Sequence, residues 1–358
     1  MRVLVTGGAG FIGSHIADLL AGEGHRPVVL DSLLPTAHGS TTAPEYTGAH
    51  RFVRGDVTDP ATLDGLLSEV DVVCHQAAVV GHGVDPTDAP SYALHNDYGT
   101  AVLLAGMYRA GLRKLVLASS MVVYGEGRYS CADHGIVSPA PRTRADTDAG
   151  CFEPRCPGCG AELASVLVPE DAPPAPRSTY AASKLAQESL AGAWARQTGG
   201  SVWALRYHNV YGPRMPQNTP YAGVASLFRS ALRRGEAPGV LEDGRQRRDF
   251  VHVRDVARAN LLALTVETEP GELVPVNVCS GEPHTVGELA AELARACGGP
   301  QPRVLGGLRP ADVRHVVADP ARAEKLLGFT AHTGFAEGIT AFATDPLRDP
   351  TQPGPAGP

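Results

Sequence analysis

Side chains able to perform acid–base chemistry on a hydroxyl group occur in two short segments. Tyr180 and Lys184 stand four residues apart in a helical pattern, so they share one helix face. An ammonium group beside a phenol stabilises the phenolate and lowers a pKa that is otherwise about 10, which makes tyrosine a general base near neutral pH. A hydroxyl from Ser119 or Ser120, at the end of an apolar run, can hold the reacting oxygen beside that tyrosine. Taken alone, each segment can also be a surface helical pair or a strand-end cap.

Glycines at every third position form a second pattern near the start of the chain. Gly7, Gly10 and Gly13 follow an apolar run and open a helical pattern, with Phe11 and Ile12 inside the turn. A strand that turns sharply into a helix needs glycine where its backbone approaches a pyrophosphate, and the helix N-terminus attracts that anion. The pattern therefore predicts a dinucleotide site formed by these five residues. Glycines of an ordinary tight turn are the alternative.

Acidic and small residues at the ends of later apolar runs extend this site. Asp31 lies 18 residues beyond the last glycine, where a carboxylate accepts both ribose hydroxyls and repels a 2′-phosphate. The cofactor is therefore predicted to be NAD rather than NADP, with a solvated strand-end aspartate as the alternative. Asp56 and Val57 follow the next run and are expected at the adenine. Ala77 and Ala78 follow a fourth run, where small residues let the chain pass close to the cofactor.

Two cysteine-containing pairs predict a metal site. Cys131 with His134, and Cys156 with Cys159, are each separated by two residues and followed by glycine. A closed structural zinc site needs about four such ligands, so we predict that these four residues bind zinc in a structural role. Cys151 is a spare that could replace His134. Free thiols on a flexible loop are the alternative.

The order of apolar runs and helical patterns predicts an α/β fold. Strand-like runs occur at 2–5, 27–30, 51–53, 71–74, 114–118 and 202–206, separated by helical patterns that include 61–69, 97–110 and 180–197. Uniformly apolar strands that alternate with helices indicate a doubly wound parallel sheet covered on both faces. We therefore expect a Rossmann nucleotide-binding domain over residues 1–205.

Three other regions depart from this alternation. Residues 126–177 are rich in proline, arginine and aspartate and are interpreted as a loop insertion. Residues 206–345 carry less regular elements, with helical patterns at 221–234, 254–266 and 285–297, and are expected to form mainly a smaller substrate-binding domain. Residues 346–358 are rich in proline and glycine and are expected to be a disordered tail.

Composition excludes several classes of protein. The 358 residues are 43% hydrophobic and 19% charged, which is typical of a folded globular protein. A formal charge of −7 without a basic stripe argues against a nucleic-acid partner. No apolar stretch reaches about 18 residues, and the first residues form a core strand rather than a signal peptide, so no membrane association is expected. Seven unevenly placed cysteines indicate a reducing compartment, and we predict a cytoplasmic protein.

Taken together, these motifs resemble those of one family. They are the run from Thr6 to Gly13, Ser119 and Ser120 with Val123, Tyr124 and Gly125, the pair Tyr180 and Lys184, and the run from Arg248 to Val253. The set is similar to the extended short-chain dehydrogenase/reductase family, which contains the NAD-dependent epimerases and dehydratases of nucleotide sugars. The resemblance extends from residue 1 to about 330, interrupted by 126–177.

The resemblance implies roles for individual residues. It selects Ser120 rather than Ser119 as the catalytic serine, makes Tyr180 the base and acid, and gives Lys184 a second role at the nicotinamide ribose. Cofactor contacts are implied for Asn96, which would also support the active-site helix, and for Tyr207. Substrate contacts are implied for Ser120, Tyr180, Asn209, Arg248, Arg309 and Asp312, with the arginines at the diphosphate and nucleoside.

The resemblance also predicts the reaction. Members open by oxidising the sugar at C4, and dehydratases carry an Asp-Glu pair where this chain has Met121 and Val122. Without that pair, the expected outcome is rotation of the 4-keto sugar and its reduction on the other face, which is C4 epimerisation. A one-way NAD(P)H-dependent 4-ketoreductase is the alternative on the same fold, and a non-catalytic nucleotide-binding scaffold is the alternative from another class.

The resemblance gives less detail about the substrate and the oligomeric state. Val316 is expected to limit the sugar pocket, and a dTDP-linked 6-deoxyhexose such as dTDP-rhamnose is preferred, with UDP-hexoses and UDP-uronic acids as alternatives. The family commonly dimerises through a four-helix bundle. By resemblance, we expect a homodimer formed by the helices at 97–110 and 180–197.

Overall fold

The computed structural model describes residues 1–38, 42–81, 86–217, 223–307 and 312–348. The strands are β1 (Arg2–Thr6), β2 (Arg26–Asp31), β3 (Arg51–Arg54), β4 (Val72–His75), β5 (Lys114–Ser120), β6 (Arg128–Cys131), β7 (Gly135–Val137), β8 (Ala164–Val166), β9 (Ser201–Tyr207), β10 (Asn209–Tyr211), β11 (Gly239–Leu241), β12 (Arg247–His252), β13 (Leu273–Val278), β14 (Pro283–Thr285) and β15 (Arg303–Gly306).

The helices are α1 (Phe11–Gly22), α2 (Pro35–His38), α3 (Pro60–Leu67), α4 (Ala89–Tyr92), α5 (Gly99–Arg109), α6 (Arg144–Asp148), α7 (Thr179–Thr198), α8 (Val224–Arg233), α9 (Val253–Thr265), α10 (Val286–Cys297), α11 (Ala321–Leu327) and α12 (Phe335–Phe342). A π-helical turn, Ala93–Tyr98, joins α4 to α5, and a 3₁₀ helix, Met121–Tyr124, follows β5. Among the described residues, no helix has the length and apolar character needed to cross a membrane.

The predicted doubly wound sheet is confirmed. Its seven strands are parallel in the order β13-β9-β5-β4-β1-β2-β3. One face is buried by α1 and α9, whose Ile16 and Val256 belong to the same core cluster, and the other by α3, α5 and α7. The strand order reverses between β1 and β4, and ligands of such sheets bind at that switch point, beyond the carboxyl ends of the strands.

One strand of this sheet is not predicted from the sequence. Leu273–Val278 forms β13, which pairs with β9 and completes one edge of the sheet. The remaining strands after β9 form small separate sheets, β10-β12-β14 and β11-β15. They pack with α8, α10 and α12 around a second core that includes Phe228, Leu289 and Phe342. The division of the chain into domains at 205/206 stays a prediction. Of the predicted tail, only 346–348 are described, and Arg348 bridges to Pro216.

The insertion is more regular than the predicted loop. Within it, β6 pairs antiparallel with both β7 and β8, giving a three-stranded sheet. The short helix α6 lies between β7 and β8 in the chain. Its small core consists of Tyr129, Cys131, Cys156 and Leu163. The strands have only three or four residues each, which is why their period-two pattern is too short to read from the sequence.

A buried ion pair fixes α7 against the sheet. The Arg206 guanidinium donates to both carboxylate oxygens of Glu188 at 2.9 and 2.8 Å, and the two side chains are only 5% and 6% exposed. Ser119 Oγ donates to Glu188 Oε1 at 2.5 Å, so α7, β5 and β9 meet at this carboxylate. Arg206 also donates to the Tyr124 hydroxyl at 3.0 Å, which extends the network to the 3₁₀ helix.

Glu188→Gln tests this constraint. The substitution leaves the buried charge of Arg206 without a carboxylate partner, so it is expected to lower the free energy of unfolding by about 3–5 kcal/mol. Urea unfolding followed by circular dichroism measures the change. Glu236→Gln removes the carboxylate of an exposed pair with Arg234 and serves as a control that leaves the midpoint unchanged. Equal midpoints for Glu188→Gln and the unaltered chain would contradict the role assigned to this pair.

Candidate active site

A cavity of about 1380 Å³ opens beyond the carboxyl ends of β1, β4, β5 and β9. It lies at the switch point of the sheet and extends towards α8. The predicted residues that line it are Gly7, Gly10, Phe11, Ile12, Gly13, Asp31, Asp56, Val57, Ala77, Ala78, Ser119, Ser120, Tyr180, Lys184, Tyr207 and Asn209. The structure thus brings the glycine turn and the acid–base segments to one cavity.

The glycine turn leaves no space for side chains. Gly7 has φ +65°, and a Cβ there would lie 2.7 Å from the Ala77 backbone nitrogen. A Cβ on Gly13 would lie 2.3 Å from the Gly7 carbonyl oxygen. The turn can therefore fold only with glycine at these positions, and it places the N-terminus of α1 at the cavity, where a pyrophosphate is favoured.

Asp31 is buried at the end of β2 and held by backbone amides. Ala9 donates to its Oδ2 at 3.1 Å and Leu33 to its Oδ1 at 2.9 Å. His38 Nε2 lies 3.2 Å from Oδ1. These contacts orient the carboxylate at the cavity wall, in the position that the sequence predicts for ribose recognition.

Asn96 and Tyr207 support the site from within the core. Asn96 is fully buried, donates to Ser183 Oγ on α7 at 2.9 Å, and exchanges hydrogen bonds with the backbone of Val79. Tyr207 donates its hydroxyl proton to Asn260 Oδ1 at 2.9 Å and packs beneath the cavity. In this structure both side chains brace the walls of the predicted cofactor site.

The two serines at the end of β5 face different environments. Ser119 donates to Glu188, so its hydroxyl is committed to the ion pair described above. Ser120 instead lines the cavity with Tyr180, close enough for its hydroxyl to lower the pKa of the phenol, and accepts from the Val122 amide at 3.3 Å. The geometry therefore favours Ser120 as the serine beside the tyrosine.

Tyr180 and Lys184 occupy the first turns of α7, whose N-terminus is capped by Ser178 Oγ. Burial raises the pKa of Tyr180 to about 12, while the hydrogen bond with Ser120 opposes that shift. Burial also lowers the pKa of Lys184 to about 8. Lys184 Nζ donates to the Ala118 carbonyl at 2.9 Å. The prediction that Lys184 lowers the pKa of Tyr180 is therefore wrong. Burial penalises the charged forms of both groups.

A second cavity, of about 300 Å³, is lined by three of the predicted substrate residues, Asn209, Arg248 and Asp312. Asn209, Met121 and Val122 line both cavities, which are therefore contiguous. The Asn209 Oδ1 atom is buried and has no hydrogen-bond partner among the described residues. Arg248 and Asp312 also line the second cavity, together with Val316, whereas Arg309 lies outside the described residues.

Arg248 is already part of a backbone clamp. Its Nη1 donates to the carbonyls of Arg247 and Arg314 at 2.9 Å, and its Nη2 donates to that of Val313 at 2.7 Å. A guanidinium has five N–H donors, so these contacts leave two of them for a ligand. Burial lowers the pKa of Arg248 from its usual value.

The four predicted metal ligands come together in the insertion. Their ligand atoms all lie within 4.8 Å of one another. His134 Nδ1 is 3.5 Å from the Sγ atoms of both Cys131 and Cys156, and Cys131 Sγ is 3.6 Å from Cys159 Sγ. The Asp133 amide donates to Cys131 Sγ and, with the amide of His134, lowers the pKa of that thiol.

The separations of 3.5 and 3.6 Å are close to those of a tetrahedral zinc site. Zn–S and Zn–N bonds of about 2.3 and 2.0 Å put sulfur atoms about 3.8 Å apart and nitrogen about 3.5 Å from sulfur. Three cysteines and one histidine are a common structural zinc set. Cys151 is exposed and does not belong to the cluster.

Some residues of the site are missed by the sequence reasoning. His208 lines the larger cavity and is buried, and its Nδ1 atom has no hydrogen-bond partner among the described residues. Burial lowers the pKa of His208 to about 4, so the ring is neutral at pH 7. The only available signal is its place between Tyr207 and Asn209 in a recognised motif. Glu242, which lines the second cavity, lies in a segment without any motif.

Comparisons with known proteins agree with this geometry. The model of the NAD dependent epimerase/dehydratase family matches residues 3–144 and 161–279. A dTDP-L-rhamnose 4-epimerase from Burkholderia thailandensis is 36% identical over 353 residues, which cover 96% of this chain and 94% of that protein. A UDP-glucose 4-epimerase from Mycolicibacterium smegmatis is 32% identical over 342 residues, which cover 95% and 96%.

A solved structure is similar over the same length. The UDP-glucose 4-epimerase of Thermus thermophilus in complex with NAD superposes with a TM-score of 0.75 at 32% identity. The match covers 96% of this chain and 98% of that chain.

Gly13→Ala is expected to abolish NAD binding. The added methyl group would lie 2.3 Å from the Gly7 carbonyl oxygen, so the turn and the start of α1 must move apart. NAD bound to the purified protein, released by denaturation and assayed enzymatically, measures the loss. Gly22→Ala, at the other end of the same helix, has no atom within 4 Å of the new methyl group and should retain NAD. Full NAD content in Gly13→Ala would show that the turn is not the cofactor site.

Proposed function

The chain belongs to the NAD dependent epimerase/dehydratase family, and on that premise we propose that it is an NAD-dependent C4 epimerase of a dTDP-linked 6-deoxyhexose. The observation that carries the proposal is the position of Ser120 beside Tyr180 in the larger cavity, next to Met121 and Val122, which also line the smaller one. The larger cavity has the glycine turn of a dinucleotide site, and the smaller one has polar groups for a nucleotide sugar.

Tyr180 is the proton carrier of the proposed reaction. Ser120 holds the C4 oxygen of the sugar beside the phenol, which accepts the hydroxyl proton as C4 is oxidised and returns it as C4 is reduced. When bound, NAD accepts and returns the hydride, and its positively charged nicotinamide favours the phenolate. Lys184, held by the Ala118 carbonyl, would hold the ribose of the nicotinamide.

The residues after β5 favour epimerisation over elimination. Met121 and Val122 line both cavities and have no group able to donate or accept a proton. The 4-keto sugar therefore rotates and is reduced on its other face while its diphosphate stays bound. Arg248 supplies that anchor through its two remaining donors, so binding energy is used far from the reacting carbon. Neutral His208 offers its Nδ1 atom to a sugar hydroxyl.

The preference for a 6-deoxyhexose rests on the apolar wall of the second cavity. Val316 is buried against Val123 and Val168, which leaves an apolar surface where a sugar without a 6-hydroxyl fits. The similarity to a dTDP-L-rhamnose 4-epimerase supports the same choice. UDP-hexoses and UDP-uronic acids are the alternative substrates, and the similarity to UDP-glucose 4-epimerases favours the first of them.

An incubation with labelled nucleotide sugars tests the reaction. The purified protein is incubated without reductant with dTDP-rhamnose, UDP-glucose and UDP-glucuronic acid, each carrying deuterium at C4, and the products are followed by NMR. We expect the C4 epimer of the dTDP sugar with its deuterium retained. A product that forms only with stoichiometric NAD(P)H would instead identify a 4-ketoreductase, and no reaction with any sugar would favour a binding protein.

Tyr180→Phe is the matched variant. Removal of the hydroxyl is expected to slow turnover by about 10²–10⁴-fold, because proton transfer loses its carrier. The NAD content should be unchanged, since the glycine turn and Asp31 are untouched. Unaltered turnover in this variant would contradict the proposed mechanism.

We further propose that Cys131, His134, Cys156 and Cys159 bind one structural zinc ion. The tetrahedral separations of their ligand atoms support this, as does the size of the insertion, whose short strands need a metal for stability. All seven cysteines are free thiols, which suits the reducing cytoplasm that we propose for this protein.

Metal analysis of protein purified without chelator measures the zinc content. One zinc per chain is expected, with Cys156→Ser containing much less because a thiolate ligand is lost. Cys151→Ser is the matched control and should keep its zinc. A zinc content near zero in the unaltered chain would overturn the assignment.

We also propose a homodimer formed by the predicted helices. Leu94, Tyr98 and Tyr108, on the π-helical turn and α5, are exposed large side chains beside α7. An apolar surface of this kind is typical of a subunit interface.

A further inference from the structure

The insertion and the wall of the second cavity meet at one buried arginine. The Arg314 side chain is fully buried and contacts three carboxylates. Glu153, from the insertion, accepts from its Nε at 2.9 Å and its Nη2 at 2.5 Å. Glu242 and Asp243 accept from Nη1 at 2.8 and 2.7 Å. One cation therefore joins the insertion to the loop after β11.

Other contacts connect the same two regions. His315 Nε2 lies 2.8 Å from Glu153 Oε2, and the His315 amide donates to the Tyr129 hydroxyl at 3.1 Å. Burial raises the pKa of Glu153, but the hydrogen bonds from His315 and Arg314 dominate and lower it to about 2. Arg142 pairs with Glu242 at 2.9 Å and donates to the Asp312 carbonyl at 3.1 Å.

The residues held in this way form the lining of the substrate cavity. Glu242, Asp312, Val313 and Val316 all line it, as does Arg248. The carbonyls of Val313 and Arg314 are the acceptors that orient the Arg248 guanidinium. The segment 312–316 therefore has the cavity on one side and the insertion on the other, and its position fixes that of Arg248.

The metal cluster lies in the same part of the insertion. Tyr129 and Cys131 are on β6, and both pack in the small core with Cys156. Glu153 precedes Cys156 by three residues. The family match is interrupted between 144 and 161, so Glu153, Cys156 and Cys159 lie in a stretch that this chain adds to the common family sequence.

We propose that zinc binding in the insertion is thermodynamically coupled to nucleotide binding, because the metal orders the residues that hold 312–316 and Arg248. The inference rests on the proposed zinc site and on the proposed nucleotide-sugar substrate. Without the metal, the insertion has only a small core to keep Tyr129 and Glu153 in place. The coupling is reciprocal, so a nucleoside diphosphate must raise zinc affinity by the factor by which zinc raises nucleotide affinity.

Calorimetric titration with dTDP and with UDP measures the effect of zinc on nucleotide affinity. The zinc-loaded protein is compared with protein stripped by a chelator, and dissociation constants are expected to rise about tenfold on stripping, within the usual range for coupled sites. Competition with a chromophoric zinc chelator measures the effect of the nucleotide on zinc affinity. Saturating dTDP should strengthen zinc binding by the same factor, which a purely structural metal would not do.

Glu153→Gln tests whether Glu153 transmits the coupling between the metal site and the nucleotide site. The substitution leaves all four proposed metal ligands in place. It removes the charge that pairs with Arg314 and His315, so nucleotide binding should weaken about tenfold with the zinc content unchanged. Stripping zinc from this variant should then weaken nucleotide binding by less than about twofold, because the connection is already broken. Asp148→Asn, which disrupts only the exposed Arg144 pair in the same insertion, is the control and should behave as the unaltered chain.

Nucleotide affinity that is the same with and without zinc would overturn the coupling. An equal loss on stripping in Glu153→Gln and in the unaltered chain would overturn the route through Glu153. Zinc-dependent nucleotide binding by a protein that epimerises no nucleotide sugar would support the coupling and contradict the proposed function, so the two failures are distinguishable.

Discussion

The position of the acid–base groups depends on the buried ion pair between Glu188 and Arg206. Glu188 lies one helical turn beyond Lys184 on α7, and Arg206 lies beside Ser119 in the register of β5 and β9. Because the carboxylate accepts from both Arg206 and Ser119, the helix can occupy one position against the sheet. Tyr180 is then held next to Ser120. A buried charge without its partner is costly, which makes this arrangement specific.

The same burial sets the protonation of the site. It raises the pKa of Tyr180 and lowers that of Lys184, so both shifts are towards the neutral form. In the proposed mechanism, the positive charge of the bound cofactor would oppose this shift and favour the phenolate.

A second buried cation, Arg314, joins elements that line the second cavity. Its three carboxylate partners come from the insertion and from the loop after β11, which are far apart in the chain. Arg206 and Arg314 thus have similar structural tasks at the two ends of the proposed substrate. One positions the reacting groups, and the other positions Arg248 and the apolar wall at Val316.

Features that depend on local spacing can be read from the sequence alone. Short-range patterns of this kind are the glycine turn, the pair Tyr180 and Lys184, and the two predicted metal-ligand pairs. Alternating apolar runs and helices are sufficient to predict the doubly wound sheet. The sequence did not reveal β13, the small sheet of the insertion, or the environment that raises the pKa of Tyr180. It left Ser119 and Ser120 open until family resemblance selected one.

The strand β13, the sheet of the insertion and the environment of Tyr180 emerge only in the folded chain, because each depends on residues distant in the sequence. Ser119 is turned away by Glu188, which is 69 residues later. Glu153 meets Arg314 across 161 residues, and no local pattern marks either residue. Burial, and with it the pKa of a side chain, is a property of the packed interior and not of a segment. The four residues proposed as metal ligands are an intermediate case, since their two pairs are visible in the sequence but come together only in the folded insertion.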